Sequence, residues 1–160
     1  MKMAVMFPMS TRLTWLAAFL LFPGAPGARS SPEENQLARI KRVYVEAFPE
    51  KTGSKKLRED LIAQLQKQGM FSIVATEGEA DAVIAGDGET WIKGYQSLNP
   101  RSGRLPSNGQ PLYAGFLSIE VKDAKGETLW SYLVTLGPAS DGITKELSKQ
   151  IVRHLTDAMK

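Results

Sequence analysis

An α+β fold, a two-layer roll with a mostly antiparallel sheet and two helices on one face, is predicted by three features of the sequence. Two apolar stripes recur at helical spacing, one hairpin is sharply punctuated, and short runs of alternating apolar residues lie between them. The predicted order is β-α-β-β-β-β-α.

The run RIKRVYVEAF, starting at residue 39, reads as the first strand. Strand side chains alternate, so Val43, Val45 and Ala47 fall on one side and Arg42, Tyr44, Glu46 and Phe48 on the other. PEKTGS is the turn that follows. Ser54 is placed to cap a helix by accepting a backbone N–H, and Leu57, Leu61, Ile62 and Leu65 form its buried stripe. Gly69 stops that helix in a left-handed conformation, with Met70 set against Leu65.

A second strand, MFSIVA, leads through TEGEAD into a third, AVIAGDGETWIKGY, where Gly86 and Gly88 mark a bend, a bulge or a close backbone approach. LYAGFLSIEV and ETLWSYLVTL flank DAKG, whose Gly126 suits a positive φ, and these make the clearest hairpin in the chain. After LGPAS, Ser140 or Asp141 caps a last helix with Ile143, Leu147, Ile151 and Leu155 on one face.

The first 30 residues have a different character. Lys2 and Arg12 precede the apolar run LTWLAAFLLF at 13–22, and small, helix-breaking residues follow at 23–28. This is the layout of a secretory signal peptide, about half the length of a membrane-spanning helix. Residues 1–30 are therefore expected to be a signal peptide, 31–38 a flexible segment and 39–160 a single α+β domain, with no transmembrane span left after cleavage. Small residues permit cleavage after Gly27 or after Ser30. Export, to the periplasm or the medium, is the predicted address.

The full chain carries a net charge of +3, but without residues 1–27 it has 18 basic side chains against 17 acidic ones, a balance that gives nucleic-acid binding no support. With no cysteine anywhere, disulfides, thiolate metal sites, a cysteine nucleophile and lipid attachment through cysteine are excluded.

The residues that could carry chemistry are few. His154 stands alone beside an apolar stripe, and no serine sits in a nucleophile elbow. Glu77, Glu79, Asp81, Asp87 and Glu89 crowd a short span but lack the spacing of a calcium loop. GDGE has neither the Lys-Ser/Thr of a phosphate loop nor a full GxGxxG. Neither a catalytic set nor a metal or cofactor site is expected.

The stretch from Thr90 to Ile119 contains no acid. It carries Lys93, Arg101 and Arg104 and a Pro/Gly/Asn/Ser-rich centre that makes a long interstrand loop over 95–113, the kind that tends to be functional. Two arginines there suit a carboxylate or phosphate. Trp91 and Tyr95 are expected to share one side of the third strand, and Trp130 and Tyr132 one side of the fifth. Tyr44 and Phe48 likewise share one side of the first strand. With the helices covering the aliphatic faces, several of these aromatics would lie on the open sheet face and mark an interaction surface, and Tyr113 is a further candidate binding residue.

ADAVIAGDGETW, the hairpin LSIEVKDAKGETLWSY and the terminal amphipathic helix resemble the small periplasmic α+β accessory domains of outer-membrane assembly and secretion systems. Among these are the LPS-assembly lipoprotein that plugs its translocon and the periplasmic domain of the curli secretion channel. The likeness runs over about residues 39–159 and implies binding and assembly without catalysis. The residues and the resemblance together lead to an exported, non-enzymatic binding module of the cell envelope. Its expected partner is an envelope protein or an anionic envelope component, and it has the means to oligomerise through the open sheet face. A soluble small-ligand-binding protein, with a pocket between helices and sheet, and a small metal-dependent hydrolase using the 77–89 carboxylates are the alternatives.

Overall fold

A computed structural model describes residues 36–96 and 109–160. Its elements are β1 (Arg42–Val45), α1 (Ser54–Gln68), β2 (Ser72–Ile73), a 3-10 turn at Glu77–Glu79, β3 (Ala82–Gln96), β4 (Gln110–Asp123), β5 (Thr128–Ala139) and α2 (Ile143–Ala158). The strands form one sheet in the order β2-β1-β3-β4-β5. The long pairings β3–β4 and β4–β5 are antiparallel, and the short ones, β1–β2 and β1–β3, are parallel. The predicted α+β class and element order hold.

Because cross-strand partners share a face, the register defines two faces. Val45, Ile84, Val121 and Trp130 make one row on the helix side, and Gly88, Leu117 and Val134 make another. Against these rows lie Leu57, Leu61 and Leu65 of α1 and Leu147, Ile151 and Leu155 of α2, all fully buried. The predicted stripes are the core.

The two helices also touch each other. Ser148 is small and donates to Thr144 O, while Thr144 Oγ1 donates to the buried Asp60 carboxylate at 2.6 Å. This hydrogen bond satisfies a buried polar group that would otherwise be costly.

Gly86 and Gly88 in β3 are points of close approach, not bends. A Cβ at Gly86 would lie 2.3 Å from the Phe48 ring, and one at Gly88 would lie 2.8 Å from Leu57 Cδ1. Phe48 was expected opposite Val43 and Val45. It reaches the core instead, because β1 ends at Val45 and the chain beyond it turns inward. Leu37, inside the stretch expected to be flexible, is only 2% exposed and belongs to the same core.

The helix ends also differ in part from expectation. Gly53 and Gly142, both at positive φ, occupy the N-cap positions. Ser54 Oγ accepts the Lys51 N–H, so it ties down the preceding loop and does not cap the helix. Asp141 Oδ1 accepts the N–H of Gly142. Gly69 and Gly126 have the positive φ foreseen for them. In the hairpin turn, Asp123 Oδ1 accepts the N–H groups of Lys125 and Glu127.

One ion pair fastens the parallel half of the sheet. Asp81, just before β3, accepts the N–H groups of Lys41 and Arg42 and the Arg42 guanidinium at 2.8 Å.

Gly86→Val and Gly88→Val should each destabilise the fold by about 1–3 kcal/mol through overpacking, measured by urea denaturation. Gly94→Ala, which meets nothing within 4 Å, should change stability by less than about 0.5 kcal/mol.

The Arg42 side chain, with the Arg42 and Lys41 N–H groups, holds the Asp81 carboxyl at about 2, below its ordinary 3.8. A carboxylate depressed in the folded state stabilises it above the ordinary value and loses that contribution as pH falls through the folded one. The stability difference between wild type and Asp81→Asn should therefore be constant above about pH 5 and shrink between about pH 4 and pH 2. Urea midpoints taken across that range check it.

Candidate functional site

The residues singled out from the sequence do not gather on one open sheet face. Trp130 pairs with Val121 and Tyr132 with Ile119, which puts both on the helix side of β5. Trp130 packs against the core. Tyr132 stacks between Trp130, at 5.9 Å, and His154 of α2, at 4.2 Å, with its hydroxyl 3.1 Å from His154 Nε2. This places His154 as a boundary residue engaged with an aromatic edge.

Tyr113 also faces the helix side, opposite Ile92. Trp91, opposite Ala114, is on the open face as expected. Tyr95 is not, because the β3–β4 register breaks between Ile92 and Gly94. The extra residue is Lys93. One added residue exchanges the two faces of everything beyond it, so Tyr95 pairs with Pro111 on the side of Tyr113. Arg101 and Arg104 lie outside the described residues.

The remainder of the open face is mixed. Its rows read Tyr44, Val83, Lys122; then Ala85, Glu120, Ser131; then Asp87, Ser118, Leu133; then Glu89, Phe116, Thr135. Small and charged side chains outnumber the aromatic ones, so this face is not the continuous aromatic patch the sequence suggested. Lys51, carried over it by the loop after β1, pairs with Asp87 at 2.6 Å and lies 5.6 Å from the Phe116 ring centre. A shallow cavity of about 210 Å³ sits there, lined by Ala85, Gly86, Asp87, Ser118 and Glu120.

The acidic cluster is dispersed in the same way. Asp81 pairs with Arg42 and Asp87 with Lys51, while Glu77 and Glu79 sit on the 3-10 turn. Among the described residues, no three histidine or acidic side chains converge on a point where a metal ion could be held. The helix–sheet interface is filled by the leucine and isoleucine stripes. A cleft of about 390 Å³ opens at its end, between Lys56, Thr90, Tyr113 and the start of α2.

What the structure does assemble is a projecting ribbon. Beyond the Tyr113–Ala139 pair, β3 and β4 continue without β5 through Gly94–Leu112, Tyr95–Pro111 and Gln96–Gln110. Five large apolar side chains are exposed among the described residues, and three stand at or beside this ribbon: Trp91 at 44%, Ile92 at 49% and Tyr95 at 53%. Lys93 lies among them, also exposed. Ile92 escaped sequence reasoning, because strict alternation placed it on the covered face. The only signal for the bulge was Gly94 inside a strand pattern.

Comparison with family models and with curated proteins gives no match. Solved structures with a partial likeness include a PelC variant dodecamer from Paraburkholderia phytofirmans, at 18% identity and a TM-score of 0.46 over 72% of this chain and 85% of that one. A neuraminyllactose-binding hemagglutinin homolog from Helicobacter pylori gives 12% and 0.43 over 75% and 85%. Lipoprotein B from Nitrosomonas europaea gives 19% and 0.36 over 75% and 74%. At these scores the likeness carries no argument about what this chain does. No described helix is long and apolar enough to cross a membrane.

The two aromatic groups should separate in a stability experiment. Trp130→Ala should cost about 2 kcal/mol, short of the value for a fully buried tryptophan, whereas Trp91→Ala should stay within about 0.5 kcal/mol. Paired urea titrations of the two variants check the assignment.

Proposed function

We propose that this chain is an exported, non-enzymatic binding module of the cell envelope, and that it engages its partner through the β3–β4 ribbon. The observation that carries the reading is the run of exposed Trp91, Ile92 and Tyr95 within five consecutive residues, around Lys93 and close in sequence to Arg101 and Arg104 in an acid-free stretch. Exposed apolar groups rimmed by polar ones favour a protein or envelope surface over bulk water. The neighbouring basic side chains suit an anionic group on that partner. The order of residues 1–30 and the resemblance to periplasmic accessory domains support the envelope address.

Binding is favoured over catalysis because His154 is engaged with Tyr132 and the acidic residues Asp81 and Asp87 are each held by a different basic partner. A role in outer-membrane assembly or secretion is the finer form of the same proposal.

Two double variants test it: Trp91→Ala with Tyr95→Ala, and Arg101→Ala with Arg104→Ala. Each should weaken capture of an envelope partner at least about tenfold, equivalent to about 1.4 kcal/mol. Melting temperatures should stay at the wild-type value. For the arginine pair, raised salt should reproduce the loss, since screening acts over about a Debye length. Capture undiminished in both variants would remove the ribbon as the binding element.

A further inference from the structure

The sheet ends on β5, and among the described residues no strand pairs with its outer edge. Such an edge offers unpaired N–H and C=O groups to any other strand, and proteins usually guard it with charges, proline, bulges or shortness. The opposite edge, β2, is guarded by being two residues long. β5 is twelve residues long, and TLWSYLVTLGPA contains no charged side chain. Its guards are confined to its ends. The register against β4 breaks beside Leu129 and again at Gly137 and Pro138. Between the breaks, Trp130–Leu136 is a regular seven-residue segment, and its midpoint is Leu133, the most exposed large apolar residue described, at 57%.

We propose that β5 pairs antiparallel with β5 of a second copy, about a twofold axis that passes beside Leu133 and perpendicular to the sheet, to give a continuous ten-stranded sheet. This goes beyond the ribbon reading and does not depend on it.

The occupant is argued from the segment's own symmetry. A copy running antiparallel through Leu133 meets the two register breaks at matching distances on either side. Its side chains also meet on matching faces. Leu133 falls against Leu133 of the second copy on the open face, next to a pair formed by Ser131 and Thr135, hydroxyl against hydroxyl. Tyr132 falls against Val134 on the helix face. With no charge anywhere on the strand, nothing repels the copy, and nothing selects a differently charged partner in its place. Both helix layers stay on the same side, so the contact is not limited to one row of backbone bonds.

The test is sedimentation equilibrium of the full chain and of two charge variants, from about 1 to 100 μM. Wild type should reach twice the chain mass. Leu133→Lys sets like charges opposite each other and should raise the dimer dissociation constant at least about tenfold. An equimolar mixture of Leu133→Lys and Leu133→Glu should restore the dimer. Circular dichroism should show both variants folded, since Leu133 is exposed. A second readout uses the absence of cysteine from the chain. Under copper-phenanthroline oxidation, Leu133→Cys should cross-link to itself, its two thiols losing electrons to the oxidant as the S–S bond forms. Ser131→Cys should not, because it faces Thr135 of the second copy. A wild-type chain that stays monomeric to 100 μM would overturn the proposal, whether or not it binds a strand from another protein. So would a dimer that ignores the charge at 133 and leaves Leu133→Cys uncross-linked.

Discussion

The close approach allowed by two glycines in β3 governs the rest of the architecture. β3 is the central strand and pairs with β1 on one side and β4 on the other. At Gly86 and Gly88 it presents bare backbone to the helix layer, and Phe48 and Leu57 come down onto it. That contact sets the height at which α1 rides over the sheet. It also gives the chain that leaves β1 at Val45 a place to put Phe48 in the core. Side chains at these positions would lift the helix and open voids along the Leu57–Leu65 stripe, where packing density matters most.

Above the same strand, the loop after β1 runs on toward the far end of β3. Thr90 N–H donates to Thr52 O at 2.9 Å, and a Cβ at Gly53 would collide with the Thr90 side chain. This loop delivers Lys51 to Asp87 and closes the open face near Phe116. The surface that remains uncovered is therefore displaced to the end of the β3–β4 ladder. Exposure at Trp91, Ile92 and Tyr95 follows from where the covering elements stop.

The helices and the hairpin were legible because their signals are local. Leu57, Leu61 and Leu65, the Ile143-to-Leu155 stripe, Gly69 and Gly126 each need only near neighbours to be interpreted. The faces of the aromatic residues were not legible, because they depend on register. Alternation places Trp91 with Tyr95 as long as no residue is added between them. The bulge at Lys93 adds one and sends Tyr95 to the other side. In β5, alternation paired Trp130 with Tyr132 correctly but could not say which face they shared. Val121 and Ile119 opposite them decide it, and those partners belong to another strand. The N-caps were not legible either, since Gly53 takes that position at positive φ and Ser54 Oγ, one residue on, accepts the Lys51 N–H.

The ion pair of Arg42 and Asp81 has a further consequence, for the order in which the chain assembles. The meander from β3 to β5 can close locally, through the 124–127 turn and the connection between β3 and β4. β1 must instead be recovered from 39 residues upstream of its carboxylate partner. Loop-closure entropy favours the nearer contacts first. By loop length alone the meander closes more cheaply than β1 joins it, and the helix pair bridged by Thr144 and Asp60, 84 residues apart, closes over a longer loop still. Asp81, at the threshold of β3, takes the two N–H groups that begin β1 and fixes its alignment in a single step.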